Sequence, residues 1–530
     1  MNIVADSNLD LASRIKTFFL QFSVFFVMMI YPLLGMTWRH QYPLVSQEVL
    51  LFFATISALS MMLALVTLAC RPWLANVIVA VCMTLVMVLQ FDLLFEGAAL
   101  TFAATVLVAL VLGRKLHQFV FVVFVALIIG SFIDGQSVYA KNISQTVKTD
   151  KQSTLAPVVH IILDGFIGPD GLPPQDLPQS FRSEMIEFFR KNNFEIYNRA
   201  YSHYNATQDS LTHAFNFTND SDTVYGKSTV FHTSLSVSQN RYFEILHRHG
   251  YAINVYQSQS FDFCQAVPDS NDRCLTYTIP NFETLRENVS NPVLRFRILA
   301  TNLFNQSTVI SMFLNTRMWL LNWGTSNYQP KVIEQIGDDL EASRDGVFFA
   351  HLLLPHAPFV YQHDCQLDYQ SEPWERFPRR GMETNTLDER IARYVRYLPQ
   401  AKCALNEIGR LFDRMRELDI YDDAFIIVHG DHGSRISLHR ASIINQNLLT
   451  PEDYRDVFST LFAIKSPGGE FREHTETVSL NVLMKRATMG IAGQHQPDSQ
   501  PGVVREVTPF VYLFGQFPLL RQDKDIFASP

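Results

Sequence analysis

The chain has 530 residues, of which 48% are hydrophobic and 18% charged, and its formal net charge is −8. Because soluble domains usually carry about 25% charged residues, this composition argues against a purely soluble protein. The acidic balance disfavours nucleic acid as a partner, since a surface that binds phosphates needs an excess of basic residues.

The apolar residues are concentrated at the front of the chain, in five segments long enough, or nearly so, to cross a hydrocarbon layer about 30 Å thick as helices. These segments are Thr17 to Trp38, Val49 to Cys70, Trp73 to Phe91, Gly97 to Gly113 and Gln118 to Ile133. A cleavable signal peptide is not followed by four more such segments. We therefore expect residues 1–134 to form an all-α transmembrane domain of about five helices.

Basic residues flank these segments unevenly. On one side of the predicted membrane lie Arg14, Lys16, Arg71, Arg114 and Lys115, whereas the short loops of the other side carry Arg39. Because basic loops stay in the cytoplasm, the N-terminus is predicted to be cytoplasmic. With five spans, the chain after Asp134 is exported, which predicts a multi-pass protein of the inner (plasma) membrane with its large domain on the periplasmic or extracellular side.

The remaining chain reads as a linker and one large domain. Residues 135–156 are polar, which is typical of a linker. From residue 157 to residue 530, strand-like and helix-like segments alternate, which favours an α/β sandwich with a mostly parallel central sheet. The interpretation includes a strand over Val347 to Leu354 and one or two amphipathic helices over Arg390 to Leu418.

Two apolar runs of this domain end in residues that bind metals. Pro157 to Leu163 is followed by Asp164 and a glycine, and Phe425 to Val428 leads to Asp431 and His432 between glycines. The carboxyl ends of parallel strands meet at one edge of a sheet, where ligands collect. Two carboxylates and an imidazole at that edge predict a site for a divalent cation. For the Asp-His pair alone, a solvated turn is the alternative.

The combination of motifs supports a family resemblance. The segments "IILDG", "HLLLPHAPF" and "HGDHGS", behind a membrane domain, resemble the sulfatase-like branch of the alkaline phosphatase superfamily over roughly residues 157–469. Membrane members of that branch include lipoteichoic acid synthases and lipid A phosphoethanolamine transferases. The resemblance implies an alkaline-phosphatase-like sandwich and a membrane-anchored, metal-dependent transferase or hydrolase acting on phosphodiesters, which moves a phospholipid head group onto an envelope glycan or lipid.

The resemblance also implies a nucleophile between the two metal motifs. The segment Tyr204 to Ser210 resembles the family pattern tyrosine-x-x-threonine-x-x-serine, which points to Thr207 and to a covalent phospho-threonine intermediate. A hydroxyl at a predicted helix start lies near free backbone N–H groups, which favour a phosphate or sulfate oxygen. A capping threonine, or the third residue of an Asn-Ala-Thr glycosylation sequon, is the alternative, and Ser210 and Thr212 are the other nearby hydroxyls.

Two further residues are candidates for substrate contact. By resemblance, His356 contacts the substrate or protonates the leaving oxygen, a role that suits a side chain titrating near neutral pH. Arg435 follows the metal pair and either binds a phosphate or sulfate or forms a salt bridge. The histidines inside strands, His160, His351 and His429, are interpreted as core residues.

We expect one divalent ion, held by Asp164, Thr207, Asp431 and His432. The imidazole favours manganese or zinc, with magnesium and calcium still open. The extra histidines that a second metal needs, His439 and His474, stand in no recognisable motif. The Cys-x-Pro sequence of formylglycine sulfatases is absent from the predicted exported domain, which argues against that route of sulfate ester hydrolysis.

The exported part has four cysteines, namely Cys264, Cys274, Cys365 and Cys403. An even number in an exported domain favours two disulfides, although three pairings are open and four reduced thiols are the alternative. The expected partners are a phospholipid or other phosphodiester donor and a glycan or lipid acceptor at the membrane. The competing functions are a sulfuric ester or phosphate monoester hydrolase with the same site, and a catalytically silent membrane scaffold.

Overall fold

The computed structural model of the chain describes residues 3–39, 42–91, 93, 95–139, 155–173, 180–219, 226–227, 235–237, 239–258, 261–268, 272–277, 291–305, 307, 329–366, 384–493, 509–513 and 521–527. Contacts between Cα atoms divide the chain into two compact units. One comprises Met1–Ser144 and Pro280–Leu321, and the other Gln145–Ile279 and Asn322–Pro530. Most of the predicted linker over residues 135–156 lies outside the described residues.

The first unit is helical. Its N-terminal helices are α1 (Ile3–Arg39), α2 (Gln47–Ala69), α3 (Pro72–Phe91), α4 (Phe95–Leu112) and α5 (Leu116–Tyr139). Cys70 is extended and ends α2, and Pro72 begins α3, where the missing N–H of a proline costs nothing. Buried apolar side chains such as Val24, Phe25 and Phe124 form the core of this bundle.

Three stretches of these helices are long and apolar enough to cross a membrane, namely Leu11–Trp38, Gln47–Ala69 and Pro72–Phe91. Two further apolar stretches, Glu96–Leu112 and Leu116–Ser131, are shorter. The helical N-terminal region with apolar spans is therefore confirmed, whereas a topology of five spans stays a prediction.

A sixth helix of this unit, α9 (Pro292–Asn305), comes from much later in the chain and packs against α2. Asn291 caps it, because its side chain accepts from the backbone N–H groups of Val293 and Leu294, and Pro292 follows at the first helical position. The exported domain predicted over residues 157–530 includes this segment, whereas in the structure the segment groups with the helical unit.

The second unit is built on an eight-stranded sheet with the order β11-β2-β10-β9-β1-β8-β5-β7. Its strands are β1 (Val158–Leu163), β2 (Glu195–Tyr201), β5 (Ile253–Ser258), β7 (Arg273–Tyr277), β8 (Val347–Leu352), β9 (Phe425–Gly430), β10 (Phe462–Lys465) and β11 (Arg472–Ser479). Among the described strands of this sheet, β10 alone runs antiparallel to its neighbours. The short strands are β3 (Gly226–Lys227), β4 (Leu235–Ser236), β6 (Phe261–Asp262), β12 (Phe510–Tyr512) and β13 (Arg521–Asp523).

Helices cover this sheet. They are α6 (Ser180–Lys191), α7 (Thr207–Asn216), α8 (Arg241–Arg248), α10 (Gln329–Ala342), α11 (Leu387–Glu417), α12 (Pro451–Phe458) and α13 (Leu480–Ile491). The central strand β1 is buried along its whole length, which explains its nearly continuous run of valine, isoleucine and leucine. The predicted α/β domain with a mostly parallel sheet is confirmed.

The register of the central strands brings together the strand ends that precede Asp164 and Asp431. Leu163 at the end of β1 pairs with Gly430 at the end of β9 and with Leu352 at the end of β8. Asp164, Asp431 and the loop after β8 therefore leave the sheet at the same edge. The segment predicted as one or two helices is the single helix α11, which contains Pro399 and begins with a capping box of Thr386 and Glu389.

The four cysteines of this unit form the disulfides Cys264–Cys274 and Cys365–Cys403. The first links the segment after β6 to β7, and the second links a loop after β8 to α11.

Candidate metal centre

The Asp431 carboxylate is fixed by backbone donors. Its Oδ1 atom accepts from the N–H of Gly165 at 2.8 Å and from that of His432 at 2.9 Å. Its Oδ2 atom is buried and has no hydrogen-bond partner among the described residues. Gly165 has φ +74°, a conformation that favours glycine. The Oδ1 atom of Asp431 therefore fixes the orientation of the side chain, whereas the Oδ2 atom faces the neighbouring side chains of the site.

The tautomer of His432 follows from a single contact. Its Nδ1 atom lies 2.8 Å from the carbonyl oxygen of Gly433, and a carbonyl can only accept, so Nδ1 carries the proton. In the neutral ring the Nε2 atom then carries the lone pair. That atom lies 3.2 Å from Asp431 Oδ2, 3.7 Å from Asp164 Oδ1 and 3.4 Å from the Thr207 hydroxyl. A lone pair facing two carboxylates is repulsive unless a cation or an additional proton lies among them.

Asp164 and Thr207 complete the cluster. The Thr207 hydroxyl lies 3.2 Å from Asp164 Oδ2, and the Oδ1 atom of Asp164 is buried with no hydrogen-bond partner in the part of the chain that the structure describes. Ligand atoms of Asp164, Asp431 and His432 all lie within 4.8 Å of one another.

The spacing of these atoms fits a small divalent ion. With metal–ligand bonds of 2.0–2.2 Å, neighbouring ligands of a tetrahedral site are about 3.3–3.6 Å apart. From His432 Nε2 the separations are 3.2 Å to Asp431 Oδ2, 3.4 Å to the Thr207 hydroxyl and 3.7 Å to Asp164 Oδ1, and the Thr207 hydroxyl lies 3.2 Å from the other oxygen of Asp164. Two unpaired carboxylate oxygens, a histidine lone pair and a hydroxyl therefore offer the donor set of one such ion.

The electrostatics are those of a site that needs positive charge. Burial and the neighbouring Asp164 charge together raise the pKa of Asp431 to about 7. Burial also acts to raise the pKa of Asp164, but His356, His351 and His432 outweigh it, and that pKa lies well below its usual range. Two ionised carboxylates in one buried cluster are stable only with a cation close by.

Helix α7 places Thr207 at the rim of this cluster. The helix begins at Thr207, and Ala206 before it is extended and offers no capping side chain. Helix N-termini attract anions because their first N–H groups have no partner within the helix. Asn205 is buried and donates through Nδ2 to the carbonyl of Ala441 at 2.8 Å, which disfavours the glycosylation alternative.

His356 lies beside the cluster rather than within it. Its Nε2 atom is 3.9 Å from Asp164 Oδ1, its Nδ1 atom contacts the Ala357 carbonyl, and its side chain is 29% exposed. This partial exposure leaves the ring accessible to a substrate.

A residue that the sequence analysis did not identify holds this histidine loop. Gln400 of α11 is buried and donates through Nε2 to the carbonyls of Pro355, His356 and Pro358. Its Oε1 atom accepts from the N–H groups of Val360 and Tyr361. Tyr397, one helical turn earlier, donates to the Gly165 carbonyl and accepts from the Ile167 N–H, both at 3.0 Å. The available signal was a glutamine and a tyrosine three positions apart on a helix.

Arg435 binds the backbone near the helix start. Its Nη1 atom donates to the carbonyl of Asn205 at 2.6 Å, two residues before Thr207. It has φ +58°, and its side chain is half-buried. The guanidinium therefore lies close to the chain segment that presents Thr207.

His351 is nearer to the cluster than a core residue should be. Its Nε2 atom lies 3.6 Å from Asp164 Oδ2, and the ring is buried. Its interpretation as a core histidine alone overlooked this contact, which depends on the pairing of β8 with β1. His160 and His429 are buried among aromatic rings of the sheet, in agreement with their interpretation as core residues. His474 pairs instead with Glu195, at 2.9 Å.

Comparison with known proteins identifies the class. The model of the sulfatase family matches residues 158–468, which is more than half of the chain. The chain therefore belongs to the sulfatase family, which is a family of enzymes. No curated protein sequence gives a significant match.

Solved structures give distant likenesses. The zinc complex of the C-terminal periplasmic domain of EcEptC from Escherichia coli is 12% identical, with a TM-score of 0.43, and the match covers 72% of this chain and 94% of that one. Phosphonate monoester hydrolase SpPMH from Silicibacter pomeroyi is 15% identical, with a TM-score of 0.39 and coverage of 68% and 79%. An alkaline phosphatase superfamily protein from Vibrio parahaemolyticus is 13% identical, with a TM-score of 0.34 and coverage of 64% and 67%.

Proposed function

We propose that the protein is a membrane-anchored, metal-dependent enzyme that transfers or hydrolyses phosphodiesters through a covalent phospho-threonine. The donor is a phospholipid or similar phosphodiester, and the acceptor is a glycan or lipid of the cell envelope. One observation carries the proposal, namely the convergence of Thr207, Asp164, Asp431 and His432 at distances that suit one divalent ion.

The four side chains would hold that ion as ligands. Manganese or zinc suits a set that includes an imidazole, and magnesium or calcium is the alternative for its oxygen atoms. Such an ion would favour ionisation of the bound hydroxyl and would polarise the ester oxygens of the substrate.

Thr207 is the proposed nucleophile. Its Oγ1 atom forms a bond to phosphorus while the bond from phosphorus to the leaving oxygen breaks. The start of α7 supports this role, since the N–H groups of the first helical turn favour a phosphate oxygen. In the second half of the reaction, an acceptor hydroxyl or water attacks the phosphorus and the bond to Oγ1 breaks.

His356 is the proposed proton carrier. Its Nδ1 atom faces a carbonyl and therefore carries a proton, which leaves Nε2 to give a proton to the leaving oxygen and to take one from the acceptor. Gln400 supports this role by fixing the loop on both sides of the ring. Arg435 is proposed to contact the substrate phosphate beside Thr207.

The apolar helices support a place in the inner (plasma) membrane, and two disulfides in the second unit support an oxidising compartment for the catalytic domain. The packing of α9 on the start of α2 points to the same side, because α9 belongs to the sequence of the sulfatase-like part. We place the catalytic domain on the periplasmic or extracellular side.

The direct test is to capture the intermediate. The full-length protein is mixed with a phospholipid donor, quenched with acid and digested, and the peptide that contains Thr207 is analysed by mass spectrometry. The proposal predicts that Thr207 gains the phosphorylated head group and that adding an acceptor removes it. A mass gain on a different residue, or none while the donor is consumed, would refute the covalent route.

A matched measurement separates transferase from hydrolase. Release of the free head group into water indicates hydrolysis, whereas its appearance on envelope glycans or lipids indicates transfer. If only a phosphate monoester or sulfuric ester is turned over, the enzyme is the simpler hydrolase and its helices serve as an anchor.

A further inference from the structure

Helix α9 differs from the other helices of the sulfatase-like sequence range because it packs within the helical unit. The chain leaves the sheet after β7, forms α9 and returns at α10. The segment Pro280–Leu321 that contains α9 groups with the apolar helices α1–α5 rather than with the sheet. Its neighbours are therefore helices that an apolar solvent is expected to surround.

The contact between α9 and α2 is specific. Arg295 Nε lies 3.1 Å from Glu48 Oε2, and the Glu48 side chain is fully buried. The Tyr42 hydroxyl also donates to this carboxylate. Phe52 lies one turn after Glu48 and Phe296 directly follows Arg295, and the centroids of these two rings are 4.4 Å apart. A buried carboxylate is tolerated only with such partners, so the packing of α9 against α2 is specific.

The exposed face of α9 carries two apolar side chains together with Arg297. Val293 is 64% exposed and Phe304 is 37% exposed. Eleven residues make almost a whole number of helical turns, so these two side chains lie only about 20° apart around the axis. Ile298, Leu299 and Leu303 fill the buried side. A helix with one side packed on protein and with apolar side chains beside an arginine on the other suits surroundings that are partly apolar and partly polar.

The exposed apolar side chains of the neighbouring helix α2 indicate what contacts this face of α9. In α2, Leu50 and Leu51 follow Glu48 directly and are 53% and 40% exposed. The helix against which α9 packs thus carries exposed apolar side chains of its own and is long and apolar enough to span a membrane. Phospholipid is the one solvent that suits both surfaces at once.

We propose that α9 is an interfacial helix, which lies in the outer leaflet at the head-group level with Val293 and Phe304 in contact with lipid. In this arrangement α9 extends the lipid-facing surface of α2. It also attaches a segment of the sulfatase-like sequence range to the bilayer. The proposal does not depend on the chemistry at Thr207.

Site-specific fluorescence in vesicles tests the proposal. The free cysteines Cys70 and Cys82 are replaced by serine, and an environment-sensitive dye is attached to Val293→Cys or Phe304→Cys in the full-length protein. Leu51→Cys serves as the lipid-exposed comparison. Val482→Cys in α13, a valine 38% exposed in the second unit, is the matched control. The vesicles contain phosphatidylcholine and phosphatidylglycerol with bromine atoms at a shallow or a deep position of the acyl chain.

We expect the dyes at Val293 and Phe304 to emit at shorter wavelength and to be quenched several-fold more than the dye at Val482. Shallow bromines should quench them more strongly than deep ones. Quenching no greater than at Val482 overturns the proposal. Protection from aqueous iodide without quenching by brominated lipid also overturns it, because a protein surface or a second copy then covers the face. Stronger quenching by deep bromines would instead indicate a spanning segment, which contradicts an interfacial helix.

Discussion

Thr207 and Ser210 lie one turn apart in α7, yet their hydroxyls have different surroundings. Ser210 donates to the backbone carbonyl of Asp431 at 2.5 Å and accepts from Ser202 at 2.8 Å. Thr207 faces Asp164 and His432. Ser210 therefore fastens the helix to the metal motif, and Thr207 has the position of a nucleophile. Thr212, the other candidate hydroxyl, is buried.

Replacing Thr207 by alanine should lower turnover by about a thousand-fold or more, because the substitution removes the atom that attacks phosphorus. The measurement is turnover of a nitrophenyl phosphodiester by the purified full-length protein. Thr475→Ala, at an exposed position of β11, is the matched control and should leave turnover unchanged. Turnover within a few-fold of the wild type in Thr207→Ala would remove the nucleophile assignment.

Asp456 offers a prediction about pH. Its side chain accepts from Tyr394 and from Ser434, and burial raises its pKa to about 6. Because the folded state binds this proton more tightly than the unfolded chain does, Asp456 lowers stability as the pH rises from about 4 through about 6. Asp456→Asn should therefore gain stability relative to the wild type between pH 5 and pH 8, by up to about 3 kcal/mol.

The measurement is the difference in Tm between Asp456→Asn and the wild type across that pH range. The exposed Asp338→Asn is the control. A difference that stays constant with pH would show that the carboxyl group of Asp456 is ionised equally in both states.

At the scale of single residues, the sequence predicted the positions that follow strand ends. Asp164, Asp431 and His432 converge because β1 and β9 are parallel neighbours in register, a consequence that two similar motif endings already indicate. His351 could not be assigned in the same way. Its contact with Asp164 depends on which strand lies beside β1, and nothing in the local pattern of β8 specifies that pairing.

At the scale of elements, α11 supports the edge of the sheet at which Asp164 and Asp431 lie. Its residues Tyr397 and Gln400 bind the backbone of two loops, one after β1 and one after β8. The sequence predicted the helix from its amphipathic pattern, and the capping box at Thr386 explains why it begins slightly earlier. The loop contacts could not be predicted, because the partners of Gln400 lie about forty positions earlier in the chain.

Replacing Gln400 by alanine should lower kcat by roughly tenfold or more, because the loop that orients His356 loses five hydrogen bonds. Metal content should stay that of the wild type, since Gln400 contacts none of the candidate ligands. Asn406→Ala is the matched control, an amide of the same helix that donates to the carbonyl of His363. Equal effects of the two substitutions on kcat would mean that Gln400 has no special role at the sheet edge that carries Asp164 and Asp431.

At the scale of the whole molecule, apolar composition and the uneven basic residues together predict an exported catalytic domain. Within the described residues, three helices meet the requirements of a membrane span. Whether the shorter apolar stretches of α4 and α5 also span decides on which side of the membrane the rest of the chain lies. Composition alone could not decide whether these two stretches cross the membrane, because their apolar runs are close to the minimum length. The position of α9 could not be predicted at all, since it depends on a buried ion pair between Glu48 and Arg295.

Reporter fusions test the predicted topology. A phosphatase that is active only after export should be active when fused after residue 45, 93 or 139. It should be inactive when fused after residue 71 or 115, where basic residues keep the loops in the cytoplasm. An inactive fusion after residue 139 would contradict the five-span topology and the exported catalytic domain.

The content of bound metal tests the central claim most directly. Full-length protein, purified without chelators and supplied with manganese or zinc, should bind about one ion per chain with high affinity. Asp164→Asn, Asp431→Asn and His432→Gln should each lose that ion, whereas His474→Gln, which alters a histidine paired with Glu195, should keep it. A wild-type protein without the ion, or variants that retain it, would contradict the metal centre on which the proposed chemistry depends.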